Sequence, residues 1–219
     1  MKPIIITIDG PAGSGKGTTA RGVAHILGYV YIDSGAMYRA ITWYCLERGI
    51  TSDGDELKNA LKEIELGITP DWQVTLNGEV VADSLLRTRE VNQYVASVFA
   101  RISAVRAKVT KTCQRIIQGG GYVLDGRDAS TIIAPKAELK IYLDADPYER
   151  ARRRALESGD TSEIKIEEML HNIILPRDQA DAENLLSSKS VGITIDTTHL
   201  SPEEQISQVY HLAMAIINQ

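Results

Sequence analysis

The chain has 219 residues, with 24 Lys and Arg against 29 Asp and Glu, giving a formal net charge of −5. Its 43% hydrophobic and 24% charged residues exclude wholesale disorder, and at roughly 100–200 residues per domain the length fits one domain carrying an insert. The acidic balance argues against nucleic acid or an anionic membrane as main partner, since both recruit an excess of Lys and Arg.

In chain order, Ile4 to Ile8 is a β-branched run closed by Asp9-Gly10, the pattern of a strand buried on both faces. It is too short for a secretory core or a membrane span, and no longer apolar run follows. Ala20, Val23, Ala24 and Leu27 recur at helical spacing, and Gly28 ends that helix. A second strand, Tyr29 to Ile32, leads to Asp33-Ser34-Gly35 and to a helix carrying Met37, Ala40, Ile41, Tyr44 and Cys45. Leu57, Ala60, Leu61 and Ile64 mark another helix. From Trp72 to Val81 the pattern alternates around Asn77-Gly78, a strong hairpin signal and the mark of a small inserted lobe. Two helices follow, the second with Ile102, Val105, Val109, Ile116 and Ile117, broken by Gly119-Gly120-Gly121.

Tyr122 to Asp125 and Leu139 to Asp144 are two further buried-type strands, each ending in aspartate. A basic helix starts near Pro147, another covers roughly Ile166 to Leu175, and a strand from Val191 to Ile195 precedes a last helix with Ile206, Val209 and Ala213. Strands alternating with helices predict an α/β fold whose parallel sheet is covered on both faces. Cys45 and Cys113 form no disulfide framework, so a reducing cytoplasm is expected. His25, His171, His199 and His211 lack metal-ligand spacing, and no metal bound directly by the protein is expected.

The chemistry enters at Gly10-Pro11-Ala12-Gly13-Ser14-Gly15-Lys16-Gly17-Thr18, which follows the first strand and opens a helix. Glycines there let successive backbone N–H groups surround a polyphosphate, the helix N-terminus adds partial positive charge, and Lys16 can bridge the outer phosphates. The residue after the lysine is Gly17 rather than a hydroxyl that would help hold Mg²⁺, so the ion is expected to rest on water, ATP phosphates and groups near Thr18 and Asp33. Gly-Lys-Gly-Thr is the variant of nucleoside monophosphate kinases, which moves the reading to phosphoryl transfer onto a nucleotide.

Such an enzyme must hold two anions together, and arginine suits that task because its planar fork binds phosphate bidentately and stays charged. Asp33-Ser34-Gly35-Ala36-Met37-Tyr38-Arg39 places Arg39 a turn into a helix at a strand's carboxyl end, where sites in parallel sheets form. Asp125-Gly126-Arg127-Asp128 follows another strand in the same way, and Arg106 and Arg177-Asp178-Gln179-Ala180-Asp181 lie on or near helices.

With these motifs in hand, the chain resembles the bacterial cytidylate kinase family nearly end to end. The resemblance runs through ITIDGPAGSGKGT, DSGAMYR, VTLNGEVV, LRTREV, LDGRD, IYLDAD with ERARRR, PRDQAD and IDTTHLSPEE. It implies a single P-loop domain over residues 1–219, a three-layer α/β/α core with a mostly parallel central sheet. An inserted monophosphate-binding lobe is implied at about residues 65–106, and a short lid at about 155–184. It further implies a monomer that transfers the γ-phosphoryl group of MgATP to CMP or dCMP. By position, Ser34, Arg39 and Arg127 would handle the acceptor phosphate and its surroundings, with Asp33 beside them. Arg106 and Asp128 would meet the cytosine together with Ser97. Arg177 and Asp181 would contact ribose or phosphates from the lid, and one or two of Arg150, Arg152, Arg153 and Arg154, Arg153 foremost, would face the phosphates of ATP. Lys16, Arg39, Arg127 and Arg177 would carry the catalysis.

Three departures from the family stand out. Ala129-Ser130-Thr131 replaces the usual Ile-Gly-Thr, and Asn184 stands where the lid normally ends in arginine. One extra residue is needed between Val91 and Arg106. A missing charge-assisted phosphate contact costs roughly 1.5–3 kcal/mol, which bears on rate and preference more than on fold. A kinase for another acceptor, such as UMP or AMP, and a catalytically weak nucleotide-binding regulator are the alternatives open at this point.

Overall fold

A computed structural model describes residues 3–218 of the chain. In chain order its elements are β1 (Ile5–Asp9), α1 (Lys16–Leu27), β2 (Val30–Asp33), α2 (Ser34–Leu46), α3 (Asp55–Glu63), β3 (Leu66–Ile68), β4 (Val74–Leu76) and β5 (Glu79–Val80). Then come α4 (Asp83–Leu86), α5 (Arg89–Ser97), α6 (Ser103–Ile116), β6 (Tyr122–Gly126), β7 (Leu139–Asp144) and α7 (Pro147–Glu157). The chain ends with α8 (Glu163–Met169), α9 (Leu175–Ala180), α10 (Ala182–Val191), β8 (Ile193–Asp196) and α11 (Pro202–Ile217). By contact the chain parts into two compact units, one running up to Tyr31 and resuming at Gly119, the other spanning Ile32–Gln118.

The first unit is organised on a five-stranded sheet of order β2-β6-β1-β7-β8, to which the start of β2 belongs. β1 pairs in parallel with both β6 and β7, and β7 with β8, so the expected α/β core with a mostly parallel sheet is what the structure has. Ile6 and Ile8 are fully buried, as a β-branched strand covered on both faces requires. Helices α1 and α11 pack against each other, α1 also on β6, α11 on β7, and α10 on β1 and β7. Because β1 lies between two strands that follow it far along the chain, its carboxyl end is a switch point, and the glycine-rich loop leaves from there. Register sets Asp9 opposite Gly126, which brings the Arg127 segment beside that loop.

The second unit packs α3, α4, α5 and α6 around α2, with Met37, Ile41, Leu57 and Phe99 fully buried. Its antiparallel sheet β3-β4-β5 contains the expected hairpin, closed by Asn77 at φ 53° and Gly78 at φ 85°, the two positive φ angles that match strand twist. Strand β3 went unread in the sequence, because three residues with a central glycine give no alternation.

Two of the later elements differ from expectation. Val191 completes α10 instead of opening the last strand, which starts at Ile193. The helix expected over Ile166 to Leu175 is interrupted by a π-turn, Leu170–Ile174, closed by the Leu175 N–H on the Leu170 carbonyl. Pro176 has no N–H to return to Asn172, and the wider turn absorbs that missing bond. A second π-turn, Ala129–Ile133, follows the Arg127-Asp128 segment. Among the described residues no helix is long and apolar enough to cross a membrane.

Candidate functional site

In the first unit each of the five successive carbonyls from Gly10 to Ser14 meets a side-chain donor. Arg127 Nη1 lies 3.5 Å from the Gly10 oxygen, and Lys16 Nζ donates to Pro11 at 2.7 Å. Arg150 Nη1 donates to Ala12 at 3.1 Å, Arg153 Nη1 to Gly13 at 3.3 Å, and Thr197 Oγ1 lies 3.0 Å from the Ser14 oxygen. With these oxygens engaged by side chains, the glycine-rich turn is held in place ahead of α1, where backbone N–H groups can receive phosphate.

Burial within the loop pushes the Lys16 ammonium down from 10.5 to about 7, and the neighbouring Arg127, Arg177 and Arg154 push the same way, against Asp125. That is the electrostatic signature of cations gathered for an anion. Thr18 is exposed on the first turn of α1, while Thr19 is buried and donates to Gln205 Oε1 at 3.1 Å. Asp125, at the carboxyl end of β6, accepts from Tyr31 Oη at 2.9 Å, and a Cβ on Gly17 would stand 3.2 Å from its Oδ2.

Arg127 is fixed from three sides. Its Nε pairs with Asp181 Oδ2 at 2.8 Å, its carbonyl accepts from Ser188 Oγ at 2.9 Å, and its Nη1 faces Gly10. The buried Asp128 offers its carbonyl to the N–H groups of Thr131, Ile132 and Ile133. Asp9, fully buried, accepts from Ala129 N at 2.9 Å and Ser130 N at 2.8 Å, clamping the turn after Arg127-Asp128 to the strand before the loop. Burial raises the Asp9 pKa and those hydrogen bonds hold it back.

Arg153 is engaged with protein on every nitrogen. Nε pairs with Glu149 at 2.9 Å, Nη1 donates to Gly13, and Nη2 donates to the Thr197 carbonyl at 2.5 Å. It therefore braces the loop from behind. Arg154 pairs with Glu157 and keeps a side chain 39% exposed. Arg177 is also partly exposed and lies 4.0 Å from Asp181.

In the second unit, Asp33 caps α2, accepting from Ala36 N at 2.9 Å through Oδ1 and from Arg39 Nη2 at 2.8 Å through Oδ2, with Arg87 Nη2 at 3.6 Å. Ser34 opens the helix and is buried. Arg39 Nε is buried and has no hydrogen-bond partner among the described residues. Ser97, exposed at the end of α5, donates back to the Gln93 carbonyl at 2.8 Å. Arg106 on α6 reaches the Ala100 carbonyl at 3.4 Å across the turn Phe99–Arg101.

Of the residues expected from sequence, the structure thus gathers Gly10 to Lys16, Arg127, Arg153, Arg177 and Asp181 about the loop, and Asp33, Ser34 and Arg39 about the start of α2. Ser97 and Arg106 stand on separate elements, bonded to their own neighbourhoods. Asp9, Asp125, Asp178 and Thr197 were missed as site residues, and Arg150, expected only as one of four arginines near ATP, is bonded to the Ala12 carbonyl and Asp178. Only the strand-ending position of Asp9 and Asp125 offered a signal.

Among known proteins, the family model for cytidylate kinase matches residues 6–215. A cytidylate kinase of Chlorobaculum tepidum is 39% identical over 228 residues, covering 100% of this chain and 96% of that protein. One from Anoxybacillus flavithermus is 42% identical over 218 residues, covering 95% of each. Among solved structures, a Thermus thermophilus protein superposes with a TM-score of 0.51 at 19% identity, covering 98% of both chains. A shikimate kinase of Bacteroides thetaiotaomicron gives 0.50 at 15% identity, covering 96% of this chain and 98% of that one. Those two speak for the fold alone.

Proposed function

The chain belongs to the cytidylate kinase family, and from that premise we propose that it transfers the γ-phosphoryl group of ATP to CMP or dCMP, releasing ADP with CDP or dCDP. The observation that carries the donor half is the phosphate loop itself, with the carbonyls from Gly10 to Ser14 each engaged and Lys16 in the field of Arg127, Arg177 and Arg154. The buried Nε of Arg39 supports the acceptor half, because an orphaned guanidinium donor is costly until an anion meets it.

The acceptor is already an anionic oxygen, so the reaction needs no strong general base. Positioning and charge neutralisation carry it. Lys16 and Arg127 hold charge that develops on the transferred group, Arg177 adds to them, and the Gly10–Thr18 loop fixes the donor. Asp33 orients Arg39 through its 2.8 Å bond so that the fork stays ready for the α-phosphate, with Ser34 beside it. Arg106, Asp128 and Ser97 are assigned to the cytosine, and Asp181 to the ribose or to Arg127. In this proposal residues 65–106 form the monophosphate-binding insert and 155–184 the lid, whose closure excludes water and protects ATP from hydrolysis.

Arg153 serves the donor indirectly, since its nitrogens are committed to Gly13, Thr197 and Glu149. For Mg²⁺, the residues fit: Asp125 sets a hard carboxylate oxygen beside the side-chain-free Gly17, while both oxygens of Asp33 are taken by Ala36 and arginines. When bound with ATP, that ion neutralises charge on the β- and γ-oxygens. The working enzyme is read as a cytoplasmic monomer, in keeping with Cys45 and Cys113 as free, buried thiols.

The test is a coupled assay of ADP release with MgATP against CMP, dCMP, UMP and AMP. CMP and dCMP are expected to turn over fastest, and a higher kcat/KM for AMP or UMP would overturn the cytidylate assignment.

A further inference from the structure

Arg150 is the one Lys or Arg that is buried among the described residues, at 3% exposure, and its fork joins three separate pieces of the first unit. Nε donates to the Ala145 carbonyl just past β7 at 3.0 Å. Nη1 donates to the Ala12 carbonyl of the phosphate loop and to Asp178 Oδ1, both at 3.1 Å, and Nη2 to Asp178 Oδ2 at 2.5 Å. The approach is close enough to dictate sequence: a Cβ on Gly13, which sits at φ 79°, would lie 2.8 Å from the Arg150 carbonyl oxygen.

Asp178 is on α9, a helix of six residues with no buried side chain of its own. Apolar packing holds the segments on either side, through Ile166 and Ile174 in a cluster with Ala12, Ala151 and Ala155, and through Leu185 on α10. Nothing of that kind holds α9. Its own side chains reach the loop through the bidentate pair with Arg150; it carries Arg177 immediately before Asp178 and is capped by Asp181, whose carboxylate meets Arg127. A planar fork sets both distance and orientation of its carboxylate, which a lysine in the same place would not do.

We propose that Arg150 and Asp178 are a positioning pair that sets Arg177 and Asp181 against the phosphate loop, with the Ala12 bond tying the loop and α9 to one guanidinium. The pair touches no substrate and acts through its neighbours. The inference rests on the reading of Arg177 and Asp181 as substrate-contacting residues given above.

The test is steady-state kinetics of the full chain carrying Asp178→Asn, which keeps the shape and removes the charge. Loss of about tenfold or more in kcat, with KM for ATP changed by less than about threefold, is expected, because a misplaced positioning group costs rate while the loop amides still bind the donor. Arg150→Lys, which keeps the charge and loses the fork, gives the same split and serves where Asp178→Asn folds poorly. Both are repeated in an Arg177→Ala background. There Asp178→Asn is expected to cost less than about twofold, since groups acting as a unit are non-additive. A kcat unchanged in both variants, a rise confined to KM for ATP, or full multiplicative loss on top of Arg177→Ala would overturn the proposal. Arg177→Ala with unaltered kcat would instead overturn the role given to Arg177.

Discussion

A Cβ on Gly17 would stand 3.2 Å from Asp125 Oδ2 and 3.6 Å from the Tyr31 hydroxyl that holds that carboxylate. The glycine that replaces a Mg²⁺-binding hydroxyl therefore makes room for an acid from the neighbouring strand. Gly17→Ala is expected to displace Asp125 and lower kcat/KM for MgATP about tenfold, with the optimum moving to higher Mg²⁺. Titrating activity against Mg²⁺ at fixed ATP checks this; an unchanged optimum would separate Asp125 from the ion.

Lys16 titrates at about 7 in the folded chain against 10.5 unfolded, with burial as the main cause and Arg127 next. The unfolded chain keeps that proton through the interval from 7 to 10.5 while the folded chain releases it, so this group's contribution to stability rises with pH across the interval. A bound polyphosphate favours the charged form. At about pH 8, MgATP binding should take up a proton, read by calorimetry in two buffers of different ionisation enthalpy. Lys16→Ala should abolish the uptake and lower kcat by about 10²–10³-fold. Near-normal turnover would remove Lys16 from the mechanism.

Arg39 holds a buried Nε with no protein partner among the described residues and is oriented by Asp33. Replacing it by alanine should lower kcat/KM for CMP by about 10- to 100-fold, corresponding to roughly 1.5–3 kcal/mol for a hydrogen-bonded charge pair. KM for ATP should stay within about twofold. Equal loss toward both substrates would argue that Arg39 is structural.

Arg153 braces the loop through the Gly13 carbonyl and seals Thr197 with its Nη2. Arg153→Met keeps the apolar stem and leaves those oxygens unmet. A lower thermal midpoint and a KM for ATP raised about tenfold are expected, since hydrogen bonds to a charged group carry roughly 1.5–3 kcal/mol. A loss of kcat alone, at unchanged thermal midpoint, would point to direct contact with the phosphates instead.

The phosphate loop, the strand ends and the hairpin were legible because each is a contiguous string whose backbone needs dictate its residues. Gly28 at φ 66° ending α1 and Asn77-Gly78 closing β4 and β5 are local facts written locally. Arg150 was not legible. It sits in a run with Arg152, Arg153 and Arg154, and only a partner 28 residues away distinguishes the buried one from Arg152 and Arg154, paired at the surface with Glu149 and Glu157. Asp125 likewise ends a strand as Asp144 does, and its bond to Tyr31, 94 residues earlier, arises from strand order that composition does not encode. The helix over Ile166 to Leu175 was read as unbroken and too short: helical structure runs from Glu163 to Ala180, and apolar spacing carries no sign of the wider turn ahead of Pro176.

The engaged carbonyls of Gly10 to Ser14 have a consequence for binding. A peptide plane in this loop cannot turn over without stripping an arginine, a lysine or Thr197 of its acceptor, so the backbone is set before any ligand arrives. Little ordering entropy is left to lose when a polyanion binds, and the oxygen left for a cation beside the loop is the Asp125 carboxylate next to Gly17.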